Sequence, residues 1–208
     1  MNFLRGNTRL TRLTITDNVL RKCSFEDCQV FPKNLRELTL TGNGARNWSI
    51  GLAIEHLIDV EGLLSLTIEL CPMSERMLWA LSNMKQLEVL RLISNNENSI
   101  DESWLFAVGR KLTNLREFEL VEIGCLAKIC ESGWCRFVAM ANQLNCLSCR
   151  YNTFGDFEYL RLLETCQNRA RPLALTVSTV GGIAPTVHQL MDNFEHILHV
   201  QPSQSFNM

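Results

Sequence analysis

Cysteine is the residue type with the widest chemical repertoire in this 208-residue sequence, which contains nine of them. An odd number of cysteines raises the question of disulfides or a zinc site. Cys146 and Cys149 have C-x-x-C spacing, but residues three apart on a predicted strand point to opposite faces. Cys125, Cys130 and Cys135 are evenly spaced, yet no fourth ligand follows at metal-site spacing. We therefore expect reduced thiols in a reducing compartment and no bound metal.

Other reactive side chains give little indication of catalysis. Glu117 and Glu119 alternate on one predicted strand, but an open face lacks the apolar enclosure that separates two carboxyl pKa values into acid and base roles. His196 and His199 have no cysteine or carboxylate partner at ligand spacing, so we expect them to be solvent-facing helix residues. The sequence contains no P-loop, G-x-S-x-G or H-E-x-x-H motif. We expect no enzyme activity and no cofactor.

A repeated leucine pattern organises the chain and must position all of these side chains. The pattern L-x-x-L-x-L-x-x-N is clearest from Leu35 to Asn43, and its copies begin 24 to 29 residues apart, the period of a leucine-rich repeat. It predicts an α/β solenoid of about seven repeats, with a curved parallel sheet inside and helices outside. The copies begin at Leu10, Leu35, Leu63, Leu87, Leu115, Leu144 and Pro172.

The segments between the repeats have helical patterns. Ser74, Asp101 and Asp156 are suited to begin helices, as N-caps or first residues. The alternation of strand and helix requires parallel strand pairing in one sheet. The side chains expected to face inward from the helices are Met77, Leu78, Leu81, Met84, Leu105, Val108, Leu112, Trp134, Phe137, Val138, Ala141, Tyr159, Leu160, Leu163 and Cys166.

The two ends of the chain differ from the repeats. We expect a single domain over 1–208, with repeats over about 10–180, a capping helix over about 185–199 and a mobile polar tail over 201–208. Few residues precede Leu10, so we expect either a minimal N-terminal cap or a preceding module in a longer protein.

The alternate positions of each predicted strand point to the concave face of the sheet. Its centre is the most distinctive part, because Arg91 is expected beside Glu117 and Glu119 over an apolar floor. Such a patch is typical of a protein-binding hot spot, although a solvated sheet also needs scattered polar residues. The candidate binding residues are Arg12, Glu37, Thr39, Glu69, Val89, Arg91, Ile93, Glu117, Glu119, Val121 and Arg150.

Composition narrows the classes of partner and the compartment. A hydrophobic content of 46%, a charged content of 20% and a net charge of -2 are those of an ordinary globular protein. The weak net charge argues against general binding to nucleic acid or to an anionic membrane. No signal peptide or membrane span is recognisable in the sequence. We expect a cytoplasmic or nuclear protein.

The repeat length near 28, with cysteines intruding at Cys71 and Cys149, resembles the cysteine-containing leucine-rich repeats of the ribonuclease-inhibitor-like superfamily. Residues 10–180 are most similar to the C-terminal solenoids of F-box proteins. The resemblance implies that the solenoid captures substrates for a cullin-based (SCF) ubiquitin ligase. It also implies docking on a Skp-type adaptor through an F-box module, which is absent from this chain.

Two other interpretations remain open. The first is a non-ligase adaptor or scaffold that tethers a protein partner within a larger assembly. The second, less favoured, is a solenoid that activates the GTPase Ran, which would need an exposed arginine on a strand-to-helix loop. Arg46 is the nearest candidate for that role.

Overall fold

One parallel β-sheet runs through the computed structural model, which describes residues 7, 9–20, 22, 31–43, 48–94, 100–122, 129, 131–150, 156–177 and 198–202. Over these residues eight strands pair in chain order, each parallel to the next. The parallel sheet predicted from the repeat is confirmed. The strands are β1 (Arg12–Thr16), β2 (Glu37–Thr41), β3 (Ser65–Glu69), β4 (Val89–Ser94), β5 (Glu117–Glu122), β6 (Cys146–Arg150), β7 (Leu173–Val177) and β8 (Leu198–Pro202).

Helices alternate with the strands, as the sequence predicted. A parallel pair needs a crossover between its strands, and a helix is the usual crossover because it satisfies its own backbone hydrogen bonds. The described helices are α1 (Asp17–Leu20), α2 (Trp48–Leu57), α3 (Glu75–Leu81), α4 (Glu102–Lys111), α5 (Glu131–Met140) and α6 (Asp156–Gln167).

The register of the sheet stacks equivalent positions of the sequence repeat. Leu38 lies opposite Leu66, Leu66 opposite Leu90, and Leu90 opposite Phe118. All four side chains are buried. Because side chains alternate between the two faces of a strand, this register gives one continuous apolar face and one polar face. The inward orientation predicted for the central leucines is confirmed.

The ends of the pattern depart from this arrangement. Leu13 of β1 and Leu10, just before that strand, are only partly buried, because β1 is the first strand of the described sheet and has a neighbour on one side only. Pro172, the first position of the most degenerate copy, is exposed, whereas the first positions from Leu35 to Leu144 are buried. The leucine pattern therefore predicts burial best in the middle of the chain.

Helices pack against the leucine face, and aromatic side chains fill much of the layer between them. Phe118 of β5 contacts Trp104 of α4 and Phe137 of α5, with ring centroids 6.2 and 5.2 Å apart. The Trp104 indole N–H donates to the carbonyl oxygen of Leu78 at 2.7 Å. Trp104 and Trp134 are both buried, and the inward position predicted for Trp134 is confirmed.

The predicted helix starts are confirmed where the structure describes them. Ser74 caps α3 and accepts a hydrogen bond from the Met77 N–H at 3.3 Å. Asp101 caps α4 and accepts one from the Trp104 N–H at 2.9 Å. These bonds satisfy backbone donors that have no partner within the first turn of a helix.

Side chains also link neighbouring crossovers at the point where each enters its strand. Gln86 donates from Nε2 to the Val60 carbonyl at 3.1 Å, and Asn114 donates from Nδ2 to the Lys85 carbonyl at 3.1 Å. Arg169 donates to the carbonyl oxygens of Val138, Ala141 and Leu144, at the C-terminal end of α5 and in the loop that follows it. Each crossover is thereby hydrogen-bonded through side chains to the one before it.

One inward assignment on α6 is wrong. Leu160 was expected to face the core, but 39% of it is exposed, and the neighbouring Leu162 is fully buried. Tyr159, Leu163 and Cys166 are buried as predicted. The reason is helical phase: Leu160 lies 100° around the helix from Tyr159, on the side away from Leu162.

The C-terminal prediction also needs correction. Leu198 and His199, assigned to a capping helix over 185–199, lie in β8, and so do Gln201 and Pro202 from the expected tail. The remainder of that helix and tail, at 185–197 and 203–208, lies outside the described residues. Strand β8 supplies backbone partners to the edge of β7, which would otherwise present unpaired groups.

Core and face substitutions should separate clearly in stability. Leu90→Ala or Leu120→Ala should lower the free energy of unfolding by about 2 to 5 kcal/mol, because each leaves a cavity in the buried leucine face. Thr39→Ala, on the opposite face, should cost much less. Urea denaturation followed by circular dichroism measures all three. Similar losses in all three variants would contradict the assignment of the two faces.

The cap of α4 should make stability depend on pH. Hydrogen bonds from the Trp104 N–H and the Ser103 hydroxyl favour the ionised form and lower the pKa of Asp101. Asp101→Ala should cost about 0.5 to 2 kcal/mol at neutral pH. The contribution of a carboxylate with a lowered pKa is lost as the pH falls through that pKa, so the two proteins should converge in acid. Urea titrations across acidic pH would test this, and a constant difference would contradict it.

Candidate functional site

The candidate surface is the face of the sheet opposite the helices. It is formed by the first, third and fifth residues of β1 to β6 and by Ala174 and Thr176 of β7, and register aligns these residues in rows across the sheet. In the middle row, Thr39 lies opposite Thr67, Thr67 opposite Arg91, and Arg91 opposite Glu119. The residues of this face in β2, β3 and β4 are half-buried. The sheet therefore presents a polar, accessible ladder of side chains.

Cross-strand polar contacts begin at the N-terminal side of the face. The Arg12 guanidinium lies 3.0 Å from Glu37 Oε1. Thr41 donates its hydroxyl hydrogen to Glu69 Oε2 at 3.1 Å. Because Arg12 is largely exposed, water screens its ion pair and the pair adds little stability. These two contacts orient Glu37 and Glu69 on the face.

The central charged cluster consists of Arg91, Glu117, Glu119 and Ser148. Arg91 Nη2 lies 2.9 Å from Glu117 Oε2, and its Nε lies 3.6 Å from Glu119 Oε2. Ser148 donates its hydroxyl hydrogen to Glu119 Oε1 at 3.4 Å. The predicted adjacency of Arg91 and the two glutamates is confirmed. One guanidinium thus bridges two carboxylates of the neighbouring strand.

Apolar side chains flank this central charged cluster. Val89 and Ile93 of β4 are half-buried and lie on either side of Arg91 along the strand. Val121 was expected to be accessible on the face but is only 6% exposed. It lies outside the hydrophobic core cluster beneath the sheet. Val121 therefore helps to shield the charged side chains from water, and little of its own surface is accessible to a partner.

Cys146 lies in β6 opposite Glu117. Partial burial raises the pKa of its thiol, the Glu117 and Glu119 carboxylates raise it further, and Arg91 lowers it. The pKa of Cys149 is raised well above normal, chiefly because this thiol is fully buried. Cys146 is half-buried on the open face, which confirms that the C-x-x-C pair points to opposite faces. Two thiols on opposite faces of the sheet cannot bind the same metal ion.

The structure describes the remaining residues predicted from the sequence only in part. Arg150 lies at the end of β6 opposite Val121, which places it on the same face by register, but its side chain is outside the described set. Arg46, Cys125, Cys130 and His196 lie outside the described residues. Within the described ranges, no group of three or more potential metal ligands occurs. Nor is any helix described there long and apolar enough to cross a membrane.

Two features were not selected from the sequence. Ser148 is not among the candidate binding residues predicted from the sequence, but in the structure it lies beside Glu119 and donates a hydrogen bond to it. A recess of about 580 Å³ lies at the C-terminal end of α2. Because its walls carry charges of both signs, it is unlike the mainly apolar pockets that hold small molecules. The recess is lined by Phe31, Lys33, His56, Asp59, Val60, Glu61 and Gly62.

Comparison with known proteins identifies no family for this chain. No protein-family model matches the sequence, and no curated protein matches it significantly.

The reactivity of Cys146 should report the charge of the central cluster. Glu117→Gln removes a carboxylate that raises the thiol pKa, so alkylation by iodoacetamide should reach its plateau at lower pH. Arg91→Gln should shift the profile to higher pH, because the guanidinium lowers that pKa. Peptide mass spectrometry can follow Cys146 separately from the other cysteines. Shifts in the same direction for both variants would contradict the assigned environment.

Proposed function

We propose that the protein is a leucine-rich-repeat solenoid whose open sheet face binds a protein partner. The observation that carries the proposal is the central charged cluster of Arg91, Glu117, Glu119 and Ser148, held on the face that the helices leave uncovered. Apolar neighbours Val89 and Ile93 add the water-excluding surroundings in which charged contacts contribute most to binding.

The strand register supports the solenoid part of this proposal. Each repeat contributes one strand, and each strand pairs only with its neighbours in the chain, which is the expected order for stacked repeats. The crossovers are helical through most of the described chain. Eight strands at a spacing of about 4.8 Å give a face roughly 34 Å across. That width suits an extended peptide of about ten residues or one face of a folded protein.

Substrate recognition for an F-box (SCF) ubiquitin ligase is the specific role we favour, on the strength of the repeat length and the cysteines at Cys71 and Cys149. In that role the sheet face selects the substrate, and a Skp-type adaptor binds a separate F-box module. An adaptor that tethers a partner without ubiquitylation is the alternative. Both roles use the same face, so the fate of the bound partner distinguishes them.

Affinity capture from proteasome-inhibited cells tests the proposal. The test variant is the charge exchange Arg91→Glu with Glu119→Lys, which moves the positive charge from β4 to β5 while preserving net charge. The matched control is Arg76→Glu with Glu55→Lys, which exchanges a 2.7 Å ion pair between α3 and α2. Circular dichroism melting should first establish that both variants fold.

A partner that is retained by the control but lost by the test variant would support binding on the sheet face. Ubiquitylation of that partner, dependent on this chain, would favour the ligase role, and its absence would favour the adaptor. If the wild type and the test variant bind the same proteins, the sheet face is not the binding site.

A further inference from the structure

We draw no further inference here: the strongest candidate, the group of exposed apolar side chains of Met140, Phe157 and Leu160 on the neighbouring helices α5 and α6, carries none because nothing in the structure shows what covers it.

Discussion

The structure depends on the stacking of equivalent apolar positions across parallel strands. A leucine of one repeat buries its side chain against the helices only if the neighbouring strand presents an apolar residue at the same height. The rows through Leu38, Leu66 and Leu90 satisfy that condition without a shift. A slip of one residue would move the leucines to the polar face, so burial fixes the register strongly.

The same constraint builds the candidate site. Once the leucine rows are fixed, the cross-strand neighbours of the residues between them are fixed as well. Arg91 must lie beside Glu119, and Glu119 beside Ser148, because Leu90 lies beside Phe118 and Phe118 beside Leu147. The charged network is thus positioned by hydrophobic packing on the other side of the sheet. Its charges need not contribute to stability in order to be held in place.

Because the packing of the leucine rows fixes the positions of residues on the opposite face, some parts of the site were predictable from the sequence and others were not. The repeat offsets alone give the strand register, so the contact of Arg91 with Glu117 and Glu119 followed from the sequence. Burial of Val121 did not follow, because it depends on how neighbouring side chains cover the face and not on register. Leu160 was misassigned because it lies at the edge of the buried stripe of α6. At that edge, helical spacing does not decide whether a residue is buried or exposed.

Strand β8 was missed for a different reason. Leu198 and Val200 alternate with His199 and Gln201, but the apolar residues before them continue a helical spacing. The available pairing edge of β7 decides the conformation of 198–202, and that edge is a property of the assembled sheet. The sequence pattern of 198–202 does not show that β7 provides the hydrogen-bonding partners for this segment.

Arg169 has a further consequence for the way the molecule comes apart. Its guanidinium bonds three carbonyl groups that belong to α5 and to the loop before β6, and burial lowers its pKa. Peeling away the segment that contains Arg169 would expose those carbonyl groups together. The two crossovers that contain α5 and α6 should consequently open as one cooperative block and not fray residue by residue.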